Sequence, residues 1–173
     1  MRLFIGIKTD CKSYLCGLQQ QLTKFGTGNF TNKDNLHITL KFLGEVPFSR
    51  LEGLYEAMDD IKASPFILSC TGVQVFNKSG IISAKVSGEI EKLQALQSAL
   101  ETALERIGYA KESRPFRPHI TLVRQFKANE GFNPGVVNSE KVTFRVDEVI
   151  LFESRRDAGK LVYAPLFVRR LNA

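Results

Sequence analysis

Residues 35–44 read Asn-Leu-His-Ile-Thr-Leu-Lys-Phe-Leu-Gly, and residues 116–124 read Phe-Arg-Pro-His-Ile-Thr-Leu-Val-Arg. These two stretches hold the only two histidines of the chain, His37 and His119, and Ile-Thr-Leu follows each of them. A chance match of three specified residues after the second histidine is expected in roughly one case in a thousand at ordinary composition. The repeated tetrapeptide therefore indicates two equivalent segments with the same role.

Each tetrapeptide has the alternation of a β-strand with one buried face. Side chains at positions i and i+2 of a strand point to the same face. His37 therefore shares a face with Thr39, and His119 shares a face with Thr121, while the leucines and isoleucines between them point the other way. Two such strands lying side by side would present two imidazoles and two hydroxyls to one cleft.

The hydrophobic pattern of the remaining sequence predicts strands and helices around these two segments. Strands are predicted at 3–7, 36–43, 66–76, 81–86, 119–123, 142–146, 149–152 and 163–171, with a hairpin turn at 77–80. Helices are predicted from about Asp10 to a stop at Gly26, after a Ser49/Glu52 capping box, and from 90 to a stop at Gly108. This is an α+β layout, and we expect one domain over residues 1–173 with two related lobes, each carrying one His-Ile-Thr-Leu.

Composition and charge narrow the class of protein. The chain has 173 residues, of which 43% are hydrophobic and 24% charged, as in an ordinary globular protein. Its net charge of +6 favours a polyanionic partner such as nucleic acid or a phosphorylated small molecule. A well-solvated surface without a partner is equally compatible with that charge.

The three cysteines and the length of the apolar runs bear on the compartment. Cys11, Cys16 and Cys70 are odd in number and lack paired metal-binding spacing, so we interpret them as free thiols in a reducing compartment. No apolar run in the sequence approaches the length of a membrane span. We therefore expect a cytoplasmic protein that does not bind membranes.

Several chemistries are open to a pair of His-x-Thr segments. A metal site would be incomplete, because the nearest carboxylates, Asp34 and Glu45, lie beyond the strand. A serine nucleophile lacks the Gly-x-Ser-x-Gly elbow. General acid–base catalysis fits better, because histidine titrates near neutrality and one ring can accept a proton while the other donates one. In-line displacement at phosphorus needs both at once, and the two threonine hydroxyls can then hold the phosphate oxygens.

The two His-x-Thr-x motifs, with the surroundings quoted above, resemble those of the 2H phosphoesterase superfamily. Within it they are most similar to the RNA 2′,3′-cyclic phosphodiesterases, which are also described as 2′–5′ RNA ligases. The resemblance implies a bilobal fold in which two antiparallel sheets form a central cleft with helices on the outside. It also implies that His37 is the proton donor to the leaving 3′ oxygen, that His119 is the proton acceptor from water, and that Thr39 and Thr121 bind the phosphate. The product would be a 2′-phosphomonoester, and neither a metal nor another cofactor would be needed.

Four further residues are candidates for substrate binding. In the family an aromatic ring and an arginine sandwich the terminal base, and Phe42 and Arg124 match, each five residues after its histidine. Strict alternation places such a residue on the opposite face, so the strand must twist, bulge or end first, which Gly44 would permit. By the same alternation Lys41 and Arg117 fall on the histidine face, where they would steer a phosphate backbone.

The resemblance leaves the substrate open. An RNA with a 2′,3′-cyclic phosphate end, tRNA fragments included, is the expected partner, and reversal of the reaction would form a 2′–5′ bond without ATP. The same chemistry could act on small nucleotides, such as 2′–5′ oligoadenylate or ADP-ribose cyclic phosphate. A non-catalytic RNA-binding module is a third hypothesis, although the presence of both histidines disfavours it. We expect a monomer.

Overall fold

The structure is a computed structural model that describes residues 1–137 and 140–172. Within these residues, nine strands and three α-helices follow one another, with short 3₁₀ turns at Lys33–Asn35, Phe48–Arg50 and Pro134–Val136. The strands are β1 Arg2–Lys8, β2 Gly26–Phe30, β3 His37–Glu45, β4 Phe66–Asn77, β5 Ile81–Gly88, β6 His119–Ala128, β7 Lys141–Val146, β8 Glu148–Asp157 and β9 Lys160–Arg170. The helices are α1 Lys12–Leu22, α2 Leu51–Asp59 and α3 Ile90–Arg106.

The strands form one curled antiparallel sheet with two halves. Its order is β7-β4-β5-β6-β3-β1-β8-β9, and β2 pairs with the other side of β6. The halves meet where β3 and β6 touch, through the single residue pair Ile38 and Ile120. The predicted α+β class is confirmed, and the two predicted sheets are the two halves joined at this pair.

The helices cover the apolar face of the sheet in a crossed arrangement. Helix α1 follows β1 but packs against β6, and α3 follows β5 but packs against β3. Each helix buries its leucines against the sheet: Leu15, Leu18 and Leu22 in α1, and Leu93, Leu96, Leu100 and Leu104 in α3. Because both helices lie behind the central strands, the side of those strands that carries the histidines stays open.

Strand β2 is absent from the sequence prediction, which used Gly26 only as a helix stop. Residues 26–30 lack the apolar alternation that reveals a strand, and α1 already ends at Leu22. Two glycines explain the pairing with β6, because a Cβ on Gly26 would lie 2.4 Å from the Lys127 carbonyl and one on Gly28 would lie 2.7 Å from Val123. Small residues at these positions let the two backbones approach each other.

The predicted capping box before the second helix is wrong. Ser49 lies inside the 3₁₀ turn Phe48–Arg50, and α2 begins at Leu51 without a side-chain cap on its first amides. The 3₁₀ turn leads directly into the helix, which leaves no place for a Ser49 cap. The helix therefore begins one residue later than a cap at Ser49 predicts.

Within residues 1–137 and 140–172, no helix has both the length and the apolar character required to cross a membrane. Cys11, Cys16 and Cys70 carry free thiols, and the first and last of them are buried in the core.

Candidate active site

A cleft of about 500 Å³ brings six of the predicted site residues together on the open side of the sheet. Its walls include His37, Thr39, Phe42, His119, Thr121 and Arg124, with Phe4 from β1 and Leu161 and Tyr163 from β9. We call this space the histidine cleft. Both tetrapeptides contribute to it because β3 and β6 are neighbours at the centre of the sheet.

The strand register makes the two halves of the cleft alike. Lys8 of β1 lies opposite His37, and Lys85 of β5 lies opposite His119. Directly opposed residues of an antiparallel pair share a face, so both exposed lysines flank the histidines and add positive charge to the open side. Their place beside the histidines is not predictable from the sequence, because only the pairing of strands shows which residues lie opposite each other.

Both imidazoles are held in the same way. The Nδ1 atom of His37 lies 2.6 Å from the carbonyl oxygen of Asn35, and that of His119 lies 2.8 Å from the carbonyl oxygen of Arg117. A carbonyl only accepts hydrogen bonds, so Nδ1 carries the proton in both rings and Nε2 is the atom that exchanges protons. In His37 the Nε2 atom also lies 2.9 Å from Thr39 Oγ1, whose hydroxyl donates to the neutral ring.

The carbonyl that orients His37 is itself fixed by the edge of another strand. The buried side chain of Asn35 donates to the Leu161 carbonyl at 2.9 Å and accepts from the Tyr163 amide at 3.3 Å. These bonds tie the residues before β3 to β9 and hold the Asn35 carbonyl toward the ring. Asn35 is a positioning residue that the sequence analysis missed, although it lies two residues before the histidine, in the same relation as Arg117 to His119.

Aromatic rings surround His37 and change its acidity. The rings of Phe4 and Tyr163 lie 4.9 and 5.2 Å from the imidazole, the latter edge-on. Burial among these rings lowers the pKa of His37 to about 4, with smaller lowering contributions from the charges of Arg124 and His119. The hydrogen bond to Asn35 opposes the shift without cancelling it. His37 is therefore neutral near pH 7 in the free protein.

His119 lies in a different environment. Its ring stacks on Phe76 with 3.7 Å between centroids, and the Arg117 guanidinium lies 4.4 Å over the same phenylalanine. Burial lowers the pKa of His119, and the charges of Arg124 and Arg117 lower it further, against the hydrogen bond to the Arg117 carbonyl. Its expected place on the histidine face implied that Arg117 lines the histidine cleft. Arg117 instead contacts Phe76 and does not line that cleft.

Strict alternation would place Phe42 and Arg124, each five residues after its histidine, on the face opposite to the histidines. A β-bulge in each strand explains why they lie on the histidine face. In β3, Gly6 pairs with Thr39 and Ile5 with Lys41, so Leu40 is an extra residue and the alternation changes phase there. Phe42 consequently returns to the histidine face, where 70% of its surface is exposed. The phase change lies at Leu40, two residues before Phe42, and not at Gly44 as expected.

The second half repeats the bulge at the equivalent place. In β6, Ser83 pairs with Thr121 and Ile82 with Val123, so Leu122 is the extra residue and Arg124 turns to the cleft. A glutamine from a helix donates to the carbonyl of each extra residue. Gln19 of α1 lies 2.9 Å from the Leu122 carbonyl, and Gln97 of α3 lies 3.4 Å from the Leu40 carbonyl.

The bulge also corrects the prediction for Lys41, which does not lie on the histidine face. Its side chain is 9% exposed, and its Nζ atom lies 2.8 Å from Glu101 Oε2 and 2.6 Å from the Ala110 carbonyl. The Lys41 ammonium forms a buried ion pair with Glu101 of α3. Lys41 therefore holds β3, α3 and the segment before β6 together instead of steering a phosphate backbone.

The donor set of the cleft consists of two imidazoles and two hydroxyls, with an arginine beside them. Among residues 1–137 and 140–172, no three histidine, cysteine or acidic side chains come together in a way that could hold a metal ion. The arrangement is suited to moving protons at two Nε2 atoms while hydroxyls bind an anion between them.

If Phe42 stacks on the base of a nucleotide, as the resemblance to the family implies, replacing it with alanine should weaken nucleotide binding more than it slows turnover. Loss of one base-stacking ring costs roughly 1–3 kcal/mol, so KM for a nucleoside 2′,3′-cyclic phosphate should rise roughly five- to a hundredfold with kcat little changed. Phe48→Ala is the matched control, because Phe48 is 82% exposed and does not line the cleft. An unchanged KM in Phe42→Ala would remove Phe42 from the binding site.

Comparison with known proteins supplies the family. The model of the 2′-5′ RNA ligase superfamily matches residues 15–158. An RNA 2′,3′-cyclic phosphodiesterase from Escherichia coli is 30% identical over 133 residues, which cover 77% of this chain and 74% of that protein. One from Archaeoglobus fulgidus is 28% identical over 136 residues, 75% of each chain. One from Geobacillus stearothermophilus is 30% identical over 135 residues, and the match spans 74% of this chain but 43% of that protein.

Solved structures agree over nearly the whole chain. E. coli LigT complexed with 3′-AMP superposes with a TM-score of 0.85 at 26% identity, covering 99% of this chain and 98% of that one. A crystal structure described as a phosphoesterase gives a TM-score of 0.84 at 26% identity over the same shares. With its paired His-Ile-Thr-Leu strands in one cleft and the family model matched from residue 15 to 158, the chain belongs to the 2′-5′ RNA ligase superfamily.

Proposed function

We propose that this protein hydrolyses RNA 2′,3′-cyclic phosphate ends to 2′-phosphomonoesters by acid–base catalysis with two histidines. The general reaction rests on family membership and on the relatives, which are named RNA 2′,3′-cyclic phosphodiesterases. The mechanism rests on one observation above all. The two imidazoles and the two threonine hydroxyls line one cleft of about 500 Å³.

In the proposed mechanism the cyclic phosphate binds between the two halves of the sheet. His119 Nε2 takes a proton from water, whose oxygen attacks phosphorus opposite the 3′ oxygen. The P–O3′ bond breaks, and the proton on His37 Nε2 moves to the leaving 3′ oxygen. Hydroxyls of Thr39 and Thr121 donate to the non-bridging oxygens, whose charge grows in the transition state. Phe42 and Arg124 hold the terminal base between a ring face and a guanidinium plane.

The low pKa of His37 has a consequence for this cycle. An acid must carry a proton, whereas burial keeps His37 neutral near pH 7 in the free protein. A bound phosphate diester carries one negative charge, and an adjacent negative charge favours the protonated imidazole. The substrate therefore raises the pKa of the histidine that must protonate its leaving group.

The pH optimum of kcat/KM, which reports the free enzyme, is expected to lie on the acidic side of neutrality. One histidine must be protonated and the other neutral, and both pKa values lie below the ordinary value of 6.5. The ratio kcat/KM for 2′,3′-cyclic AMP should therefore peak below about pH 6.5 and fall roughly tenfold per unit at higher pH. The optimum of kcat, which reports the bound state, should lie at higher pH. A kcat/KM profile that is flat or still rising above neutrality would contradict this.

The product of the reaction tests the proposal directly. An RNA oligomer that ends in a 2′,3′-cyclic phosphate is incubated with the protein in EDTA, and the monoester formed is identified. We expect a 2′-phosphate and undiminished turnover in EDTA. A 3′-phosphate, an absence of turnover or a requirement for metal would overturn the mechanism.

The same experiment addresses the substrate class. Ends of tRNA fragments are compared with free 2′,3′-cyclic nucleotides and with ADP-ribose cyclic phosphate. The net charge of +6 and the lysines beside both histidines favour an RNA chain, because added phosphates then gain attraction. The free thiols favour a reducing, cytoplasmic location, and we propose that the protein acts as a monomer.

A further inference from the structure

A second concavity adjoins the histidine cleft. It has a volume of about 630 Å³ and lies between β3, α3 and the segment 111–117 that leads into β6. We call it the side pocket. It shares Thr39, Phe42 and His119 with the histidine cleft, whereas His37, Thr121 and Arg124 line the cleft alone. The side pocket therefore meets the reaction centre on the side of His119.

The lining of the side pocket suits a nucleoside that carries phosphate. Phe116 and the exposed ring of Phe42 offer apolar surface. Lys111, Arg114 and Arg117 lie at its walls and are exposed. Glu101 of the lining is paired with buried Lys41. Arg114 lies 3.6 Å from Glu112 and Lys111 lies 3.2 Å from Glu105, but both pairs are exposed, so a phosphate can compete for their cations. Arg117 lies over the Phe76 ring. Aromatic surface with unburied cations is the combination that binds single-stranded nucleic acid.

We propose that the side pocket is the acceptor subsite, which takes the first nucleoside of an RNA end bearing a 5′-hydroxyl. This rests on the proposed function, in which His119 activates the nucleophile. A 5′-hydroxyl that replaces water must approach phosphorus from the His119 side, where the side pocket opens. Its oxygen bonds to phosphorus, its proton passes to His119, the P–O3′ bond breaks, and His37 protonates the 3′ oxygen. The product is a 2′–5′ phosphodiester whose two nucleosides lie on opposite sides of Phe42.

Filling the side pocket tests the proposal without touching the histidine cleft. Ser98 lies on the exposed side of α3 and lines the side pocket only, so Ser98→Trp places a large ring inside it. The neighbouring Ala99 is also exposed but does not line the pocket, which makes Ala99→Trp the matched control. Both substitutions are made on the wild type and on His37→Ala, which allows binding to be measured without turnover.

The probes are 2′–5′-linked adenylyl-adenosine, which spans both spaces, and adenosine 2′-phosphate, which needs the cleft alone. We expect Ser98→Trp to weaken binding of the dinucleotide roughly five- to a hundredfold, as for loss of one stacked base. In Ser98→Trp, binding of adenosine 2′-phosphate and hydrolysis of 2′,3′-cyclic AMP should change less than twofold. In Ala99→Trp, binding of both probes and hydrolysis of 2′,3′-cyclic AMP should all change less than twofold.

Three results would overturn the acceptor subsite. The first is equal binding of the dinucleotide by Ser98→Trp and its control. The second is equal weakening of the binding of both probes by Ser98→Trp, and the third is an absence of dinucleotide binding by the His37→Ala protein. Failure of the proposed function has a different signature, because the wild type would then not hydrolyse 2′,3′-cyclic AMP. Normal hydrolysis with no selective effect of Ser98→Trp rejects the acceptor subsite alone.

Discussion

Replacing either histidine with alanine is expected to reduce kcat for a 2′,3′-cyclic phosphate by two to four orders of magnitude, the usual contribution of general acid–base catalysis. The two side chains act in one transition state, so the double variant should be little slower than the slower single variant. The loss should appear in kcat, because the proposed mechanism assigns binding of the phosphate and base to other residues that line the same cleft, Thr39, Thr121, Phe42 and Arg124. Thermal unfolding of each variant serves as the control for folding.

A sulfur-substituted substrate separates the roles of the two histidines. In a cyclic phosphate whose bridging 3′ oxygen is replaced by sulfur, the leaving thiolate needs no proton. His37→Ala should then recover most of its loss, whereas His119→Ala should not. Recovery by His119→Ala instead would reverse the acid and base assignments, and turnover that survives either substitution on the ordinary substrate would reject the mechanism.

Replacing Lys41 with methionine is expected to destabilise the fold by about 3–5 kcal/mol, because it leaves a buried carboxylate without its cation. Both side chains of the pair with Glu101 are 9% exposed. Glu101 also accepts from the Glu112 amide at 3.3 Å, so the damage should spread to the segment before β6. Urea unfolding measures the free energy, and hydrogen exchange at residues 110–118 measures the local effect.

Two further variants make the Lys41 result specific. The double variant Lys41→Met/Glu101→Leu should regain much of the lost stability, since an apolar pair can replace a buried ion pair. Lys111→Met is the matched control, because the Lys111–Glu105 pair is half exposed and should contribute less than about 1 kcal/mol. A Lys41→Met protein as stable as the wild type would show that the pair carries no structural role.

Much of the fold was predictable because its elements are long and strongly patterned. The leucines of α3 repeat at helical spacing, and Gly108 ends the turn after that helix with a φ of +93°. The hairpin of β4 and β5 was marked by its turn residues. Strand β2 was not predictable, because its glycines are selected by the approach of β6, and a contact partner distant in sequence leaves no periodic signal.

The candidate site was likewise predictable only where local sequence pattern determines it. Alternation within each tetrapeptide correctly placed the histidine and threonine of one strand on one face. Alternation failed four residues after His37, where the bulge at Leu40 buries Lys41. Asn35, Phe76 and Tyr163 also escaped prediction, because they act on the histidines through hydrogen bonds and ring contacts made by the folded chain.

The amino-acid sequence alone was enough to identify the groups on which the proposed chemistry depends. Two His-Ile-Thr-Leu segments contain the two histidines and two threonines to which the proposed mechanism assigns proton transfer and phosphate binding, and the spacing of two residues places each pair on one face of a strand. The folded chain shows how those pairs meet, through Ile38 and Ile120, and which later residues join them. The physical reason is that a strand's phase depends on its neighbours. Pairing with β1 and β5 introduced the bulges that bring Phe42 and Arg124 into the cleft.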